Sequence, residues 1–129
     1  MTRVEAVKLI RKFIAGELPQ AEWYQKIAGA VKAVVFYGSR AKGVNRPDSD
    51  IDILLIVPLE VEKKYTAGEY VFQYEGQEIN IVLRSIERMR KIAEEGKDVS
   101  EAEVFRGSEV IWESDNEVQN LIDQITRIR

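Results

Sequence analysis

Three aspartates in this sequence, Asp48, Asp50 and Asp52, lie within five positions at the start of its most apolar segment. Residues at i and i+2 of a strand project from one face, so Asp50 and Asp52 would stand side by side while Ile51 points away. Unpaired carboxylates beside an apolar segment are costly, and a divalent cation would relieve their repulsion. For an isolated Asp-x-Asp, however, a solvated turn is the more common explanation.

A second group of candidate residues precedes the aspartates. Gly38 and Ser39 follow a short apolar segment, and we expect them to open a turn that presents backbone amides and a hydroxyl. Such a turn binds phosphate well, and Arg40, Lys42 and Arg46 could neutralise further phosphate charge. A Gly-Ser pair alone is common. Followed at a fixed distance by paired carboxylates, it predicts a site for a metal-bound polyphosphate.

Composition excludes several other chemistries. The 129 residues include no cysteine and no histidine, so thiol nucleophiles, disulfides, Ser-His-Asp relays and Cys/His zinc sites are ruled out. The net charge of -3 provides no overall attraction to nucleic acid, which is not expected as a partner. The longest uncharged apolar run, Ile53 to Leu59, is too short to span a bilayer, and charges interrupt the first dozen residues, unlike a signal peptide. We expect one cytoplasmic domain without a membrane segment.

Hydrophobic periodicity predicts the elements that would position these residues. Helical patterns begin at Thr2, which can form a capping box with Glu5, and near Pro19, Ser85, Val99 and Asn116. The first of these ends at Gly16, the second at about Gly29 and the third at Gly96. Strand patterns cover 33–37, 51–57, 69–75, 77–83 and 109–112, with a hairpin around Gly76.

The strand predicted at 51–57 is apolar on both faces, so we expect it near the centre of a sheet with helices packed on both sides. The predicted fold class is α+β, with a mixed sheet of about four to five strands flanked by helices. We expect a single domain over 1–129. Its N-terminal helices would occupy 1–30, the catalytic sheet 31–84, and the C-terminal helices with a short strand 85–129.

The stretch from Phe36 to Gly43, continuing through Ser49-Asp50-Ile51-Asp52 to Leu54, resembles the signature of the DNA polymerase beta-type nucleotidyltransferase superfamily. That signature is Gly-Ser, ten intervening residues and Asp-x-Asp, and the ten here are Arg40 through Ser49. The short chain is similar to minimal nucleotidyltransferases, which are commonly encoded beside a HEPN-domain toxin as its antitoxin. The resemblance therefore implies a nucleotidyltransferase fold, an ATP or other nucleoside triphosphate substrate, and two Mg²⁺ ions.

The resemblance also implies roles for individual residues. Gly38 and Ser39 would hold the triphosphate tail, with Arg40 and Ser49 completing the nucleotide-binding set. Asp50 and Asp52 would ligate magnesium and act in catalysis.

Active members of the family usually carry a third carboxylate on a later strand. The position that we align with it is occupied by Asn80, which we include in the catalytic set. Glu78 shares a face with Asn80 by alternation, and could act as the missing metal ligand if the strand register or a bulge allows. An amide oxygen can ligate magnesium but cannot accept a proton, and general-base assistance is worth about a hundredfold or more.

These residues support three hypotheses. The leading one is a Mg²⁺-dependent transferase that moves AMP from ATP to a hydroxyl of a HEPN-domain partner. The second is an antitoxin that is catalytically impaired, still binds nucleotide and acts by occluding its partner. The third is a transferase acting on a small molecule such as an aminoglycoside, for which a dimer could provide the acceptor pocket.

Several conspicuous side chains have simpler explanations. Trp23 and Trp112 are expected in partial core or an interface. Arg84, Arg88, Arg90 and Lys91 are expected on solvated faces, with a basic stripe facing an acceptor or partner as the alternative. The amphipathic helix at the C-terminus either closes the core or provides a surface for self-association or partner binding.

Overall fold

The computed structural model describes residues 1–38, 41, 51–65 and 70–129. Within these ranges, five strands form one sheet: β1 (Ala33–Tyr37), β2 (Ile51–Val57), β3 (Tyr70–Tyr74), β4 (Gln77–Ser85) and β5 (Glu109–Glu113). Their order across the sheet is β3-β4-β2-β1-β5. The pairing of β2 with β4 is parallel and the other three pairings are antiparallel, so the sheet is mixed.

Six α-helices accompany the sheet in the described ranges: α1 (Arg3–Gly16), α2 (Glu22–Ile27), α3 (Leu59–Tyr65), α4 (Ile86–Glu95), α5 (Val99–Phe105) and α6 (Glu117–Ile125). This arrangement confirms the predicted α+β class. It also confirms the capping box of α1, in which the Glu5 amide donates to Thr2 Oγ1 at 3.1 Å and the Thr2 amide donates to Glu5 Oε1 at 3.2 Å.

Two predictions about the helices were wrong in detail. The continuous helix expected from Pro19 to Gly29 is a 3-10 turn at Leu18–Gln20, the helix α2 and a second 3-10 turn at Ala28–Ala30. The break falls at Ala21, whose extended backbone, with ψ of 126°, separates the first turn from α2. The helix α3, which follows Pro58 directly, was not predicted at all.

The central strand β2 is buried on both faces, as predicted. One face of β2 packs in a core with α1 through Ile51, Ile53, Leu55 and Val57. Val61 and Tyr65 of α3 pack against the same core. On the other face Leu54 and Ile56 pack in a second core with α4, α5 and α6. Because the faces alternate, Asp52 projects towards the side occupied by α4, α5 and α6.

The helix α6 closes this second core. Val118, Leu121, Ile122, Ile125 and, just beyond the helix, Ile128 are all buried there. The apolar positions predicted at the C-terminus therefore hold the domain together. They are not exposed as a surface for self-association or partner binding.

The expectation of solvated arginines on and after β4 was wrong for Arg84. Its side chain is 14% exposed and pairs with Glu101 of α5 at 2.5 Å. Arg88 pairs at 2.7 Å with Glu62, which is buried at 4% exposure. Arg90 makes two hydrogen bonds, of 2.7 and 2.8 Å, to the Glu117 carboxylate. These ion pairs join α5 to β4, α4 to α3 and α4 to α6. The three arginines therefore do not form an unpaired basic stripe.

Within the described ranges, no helix combines the length and the apolar character needed to cross a membrane.

Candidate active site

The strand pairing aligns four side chains in one row across the sheet. Tyr37 of β1 pairs with Asp52 of β2, Asp52 with Asn80 of β4, and Asn80 with Val71 of β3. Directly paired residues project from the same face of a sheet, so all four lie on the face that carries α4, α5 and α6. The row runs through the position where the family signature places its second aspartate.

Gly38 lies immediately after β1, against the Asp52 carboxylate. Its φ of +85° falls in the left-handed region, which favours glycine. A Cβ built on Gly38 would lie 2.6 Å from Asp52 Oδ2, closer than two such atoms can approach. The backbone of the turn and the carboxylate are therefore in close contact, and only glycine leaves room for both.

Asn80 is the neighbour of Asp52 on the opposite side from Gly38. Both side chains are half-buried, and their strands are about 4.8 Å apart in a regular sheet. One carboxylate and one amide oxygen can thus approach a common point above the strands. Oxygen atoms of this kind suit a hard cation such as Mg²⁺.

Glu78 projects from the same face of β4 as Asn80, but its carboxylate is hydrogen-bonded on the side of β3. It pairs with Gln73 of β3, whose Nε2 donates to Glu78 Oε1 at 3.2 Å. Since β4 lies between β3 and β2, this hydrogen bond draws the Glu78 carboxylate away from Asp52. Within the described residues, the pairing of β4 with β2 and with β3 runs without interruption, so no bulge in it brings Glu78 into the row of Asp52.

The remaining predicted site residues, Ser39, Arg40, Ser49 and Asp50, lie outside the described residues. In the ranges that the structure describes, no three acidic side chains cluster closely enough to hold a metal ion. The described part of the site therefore consists of the Gly38 turn, Asp52 and Asn80, with Glu78 at its margin.

Sequence reasoning assigned no role to Tyr37 or Val71, which extend the row at its two ends. Tyr37 follows three strongly apolar residues and is typical of a buried strand, while Val71 is typical of any β-strand. No local pattern distinguishes them. Only the strand register, which depends on residues distant in the chain, shows that they flank the Asp52 and Asn80 pair.

Comparison with protein-family models gives a match over most of the chain. A family model described as the nucleotidyltransferase domain matches residues 21–119 of the chain. No curated protein matches the chain at a significant level.

Among solved structures, the chain is similar to a nucleotidyltransferase-like protein from Exiguobacterium sibiricum, with 9% identity and a TM-score of 0.50. The similarity covers 85% of this chain and 38% of that one, so this chain spans well under half of that protein. A toxin–antitoxin crystallised with AMP-PNP matches with 12% identity over 82% of this chain and 80% of that chain. Its TM-score of 0.44 is too low to support an argument about function.

The family model covers more than half of the chain, and its range includes β1, β2, β4 and the row of residues described above. The chain belongs to the nucleotidyltransferase domain family.

Proposed function

We propose that this protein is a Mg²⁺-dependent nucleotidyltransferase that moves a nucleoside monophosphate, AMP from ATP, to a hydroxyl of a protein acceptor. The observation that supports this most strongly is the contact between the Gly38 turn and the Asp52 carboxylate, in direct register with Asn80. A phosphate-binding turn and a cation-binding carboxylate must lie this close to act on the same polyphosphate. The family membership supports the same reaction class.

The described residues suit a magnesium ion in two respects. Asp52 and Asn80 provide hard oxygen donors, and the absence of a side chain at Gly38 lets the Asp52 carboxylate lie directly against the turn. Asp52 would hold the metal together with Asp50. When bound, the metal supplies charge stabilisation for the phosphate oxygens during an in-line displacement.

The chain's own residues would perform the remaining tasks. The backbone at Gly38, with Ser39, would hold the triphosphate tail, and Arg40 and Ser49 would bind the nucleotide beside it. Asn80 would orient the reacting groups through its amide. It would not act as the general base, because an amide does not accept a proton at neutral pH.

We propose a HEPN-domain toxin as the acceptor and partner, with this protein acting as its antitoxin. The support is the resemblance of the Gly38-Ser39 and Asp50-x-Asp52 signature, in so short a chain, to minimal nucleotidyltransferases.

Labelled ATP tests the enzymatic proposal directly. The protein, Mg²⁺, ATP labelled in the α-phosphate and the HEPN-domain protein encoded beside it are incubated together, and label on the partner is measured. We expect transfer by the wild type and by Asp123→Asn, which changes an exposed aspartate on α6. Asp52→Asn should lose transfer by about a hundredfold or more. Equal labelling by all three proteins, or by none, would contradict the proposal.

A second function is favoured by one observation: an amide occupies the position in direct register with Asp52. In this alternative the protein binds nucleotide and neutralises its partner by occlusion. The double variant Asp50→Ala with Asp52→Ala separates the two, because it should still protect cells from the toxin if occlusion is sufficient. Loss of protection, with the partner still bound, would favour chemistry.

A further inference from the structure

Val71 is an exposed apolar side chain at the end of the row that contains Asp52. It is 51% exposed and pairs directly with Asn80. On the same face of β3, the neighbouring Gln73 is engaged by Glu78. An exposed valine is unremarkable by itself, so any role of Val71 depends on its position relative to the site.

The direction of the proposed reaction relates the position of Val71 to the acceptor. In an in-line displacement, the attacking hydroxyl approaches the phosphorus from the side opposite the leaving group. Gly38, which would hold the leaving pyrophosphate, lies on the β1 side of Asp52, in contact with its Oδ2. With the leaving group on that side, the acceptor would approach over β4 and β3, where Asn80 and then Val71 lie.

The spacing of the strands shows which part of the acceptor would meet Val71. Two strand spacings separate Val71 from Asp52, which amounts to roughly 10 Å. The hydroxyl itself must come within about 3.5 Å of the phosphorus. The atoms over Val71 therefore belong to the group that flanks the hydroxyl, and an apolar group there would remove the exposed valine from water.

We propose that Val71 contacts the acceptor and selects a hydroxyl flanked by apolar side chains, as in a peptide segment, over one flanked by polar groups. This inference rests on the proposed function, because it takes the position of the leaving group from it.

The test measures binding of two short peptides with one serine each, flanked either by two leucines or by two glycines. Both are added to the protein with Mg²⁺ and a non-hydrolysable ATP analogue, and the methyl signals of Val71 and the amide signal of Gly38 are followed by NMR. We expect the leucine-flanked peptide to shift the Val71 methyl signals and to bind about fivefold more tightly than the glycine-flanked one.

Two variants refine the test. Val71→Thr keeps the shape and the strand preference of the side chain and should reduce binding of the leucine-flanked peptide by about fivefold. Val99→Thr is the matched control, because Val99 is 48% exposed at the start of α5 and lies outside the row. It should leave binding unchanged.

The possible outcomes separate the two proposals. If the nucleotide analogue shifts the Gly38 signal but neither peptide shifts Val71, or both peptides bind equally, the role of Val71 is wrong and nucleotide binding stands. If the analogue produces no shift at Gly38, nucleotide binding is wrong, and the role of Val71 falls with it.

Discussion

Gly38 and Asp52 occupy adjoining space so closely that a single added carbon at Gly38 would lie 2.6 Å from Asp52 Oδ2. The two residues are 14 positions apart in the chain and are brought together by the antiparallel pairing of β1 with β2. The backbone conformation at Gly38 and the position of the Asp52 carboxylate therefore constrain one another at the centre of the site.

Replacing Gly38 by alanine should impair both folding and nucleotide binding. The positive φ and the contact with Asp52 each oppose the new methyl group, and we expect a loss of stability of about 1–2 kcal/mol. Gly76→Ala is a matched control, since Gly76 has a φ of +79° but no atom within 4 Å of a Cβ built there. It should lose about 1 kcal/mol and keep nucleotide affinity. Calorimetric titration with ATP and Mg²⁺ measures the nucleotide affinity of both variants, and urea unfolding measures their stability. Equal nucleotide affinities of the two variants would contradict the prediction.

Asn80→Asp should make stability depend on magnesium. A carboxylate at this position would face Asp52 directly in the register of β2 and β4, and their repulsion should cost about 0.5–1 kcal/mol without a cation. Added Mg²⁺ should recover that loss, and transfer activity should rise by about a hundredfold if a general base is all that the site lacks. Thermal unfolding with and without Mg²⁺ measures the first effect. Asn120→Asp, on the exposed surface of α6, should show no specific response to Mg²⁺.

Arg88→Met should destabilise the fold more than Arg90→Met, although both arginines lie on α4. Arg88 pairs with Glu62, whose side chain is 5% exposed, and its removal leaves a buried carboxylate without its partner. We expect a loss of about 2 kcal/mol, because the exposed half of Arg88 moderates the cost. Arg90 pairs with Glu117 at the surface, where such pairs contribute about 0–1 kcal/mol. Equal losses in urea unfolding would show that the burial of Glu62 has no energetic consequence.

The contribution of the Arg90 and Glu117 pair should disappear in acid. The hydrogen bonds from Arg90 hold the pKa of Glu117 below its ordinary value near 4.5. A carboxyl group whose pKa is lowered by folding stabilises the folded state above its unfolded pKa, and that contribution is lost as the pH falls through the lowered value. Urea unfolding of wild type and Arg90→Met should therefore differ at pH 6, and the difference should shrink as the pH falls below 4.5. A difference that does not shrink with falling pH would indicate another role for Arg90.

Much of the fold was predictable because its strands carry strong local patterns. The apolar run from Ile51 to Val57 indicated a central strand, and the structure confirms it. Gly76 indicated a hairpin, and Glu75 and Gly76 form its two-residue turn with φ values of 48° and 79°.

Features that depend on distant partners were missed. Within α3, Glu62 looks solvated among charged neighbours, and only Arg88, 26 positions later, explains its burial. Arg84 likewise resembles a surface residue until Glu101 is brought to it by the packing of α5. In the site, alternation placed Glu78 and Asn80 on one face, but only the register of β4 shows that Asn80 is the one beside Asp52.

The central position of β2 has a consequence for the motions of the protein. Asp52 is paired on both sides, with Tyr37 and with Asn80, whereas β3 and β5 are the outer strands of the sheet that the described residues form. Edge strands open at lower free energy than central ones, and their amides exchange hydrogen with water sooner. Brief fraying of β3 would thus expose the side from which we expect the acceptor to approach, while the carboxylate of Asp52 keeps its place in the most protected strand of the sheet.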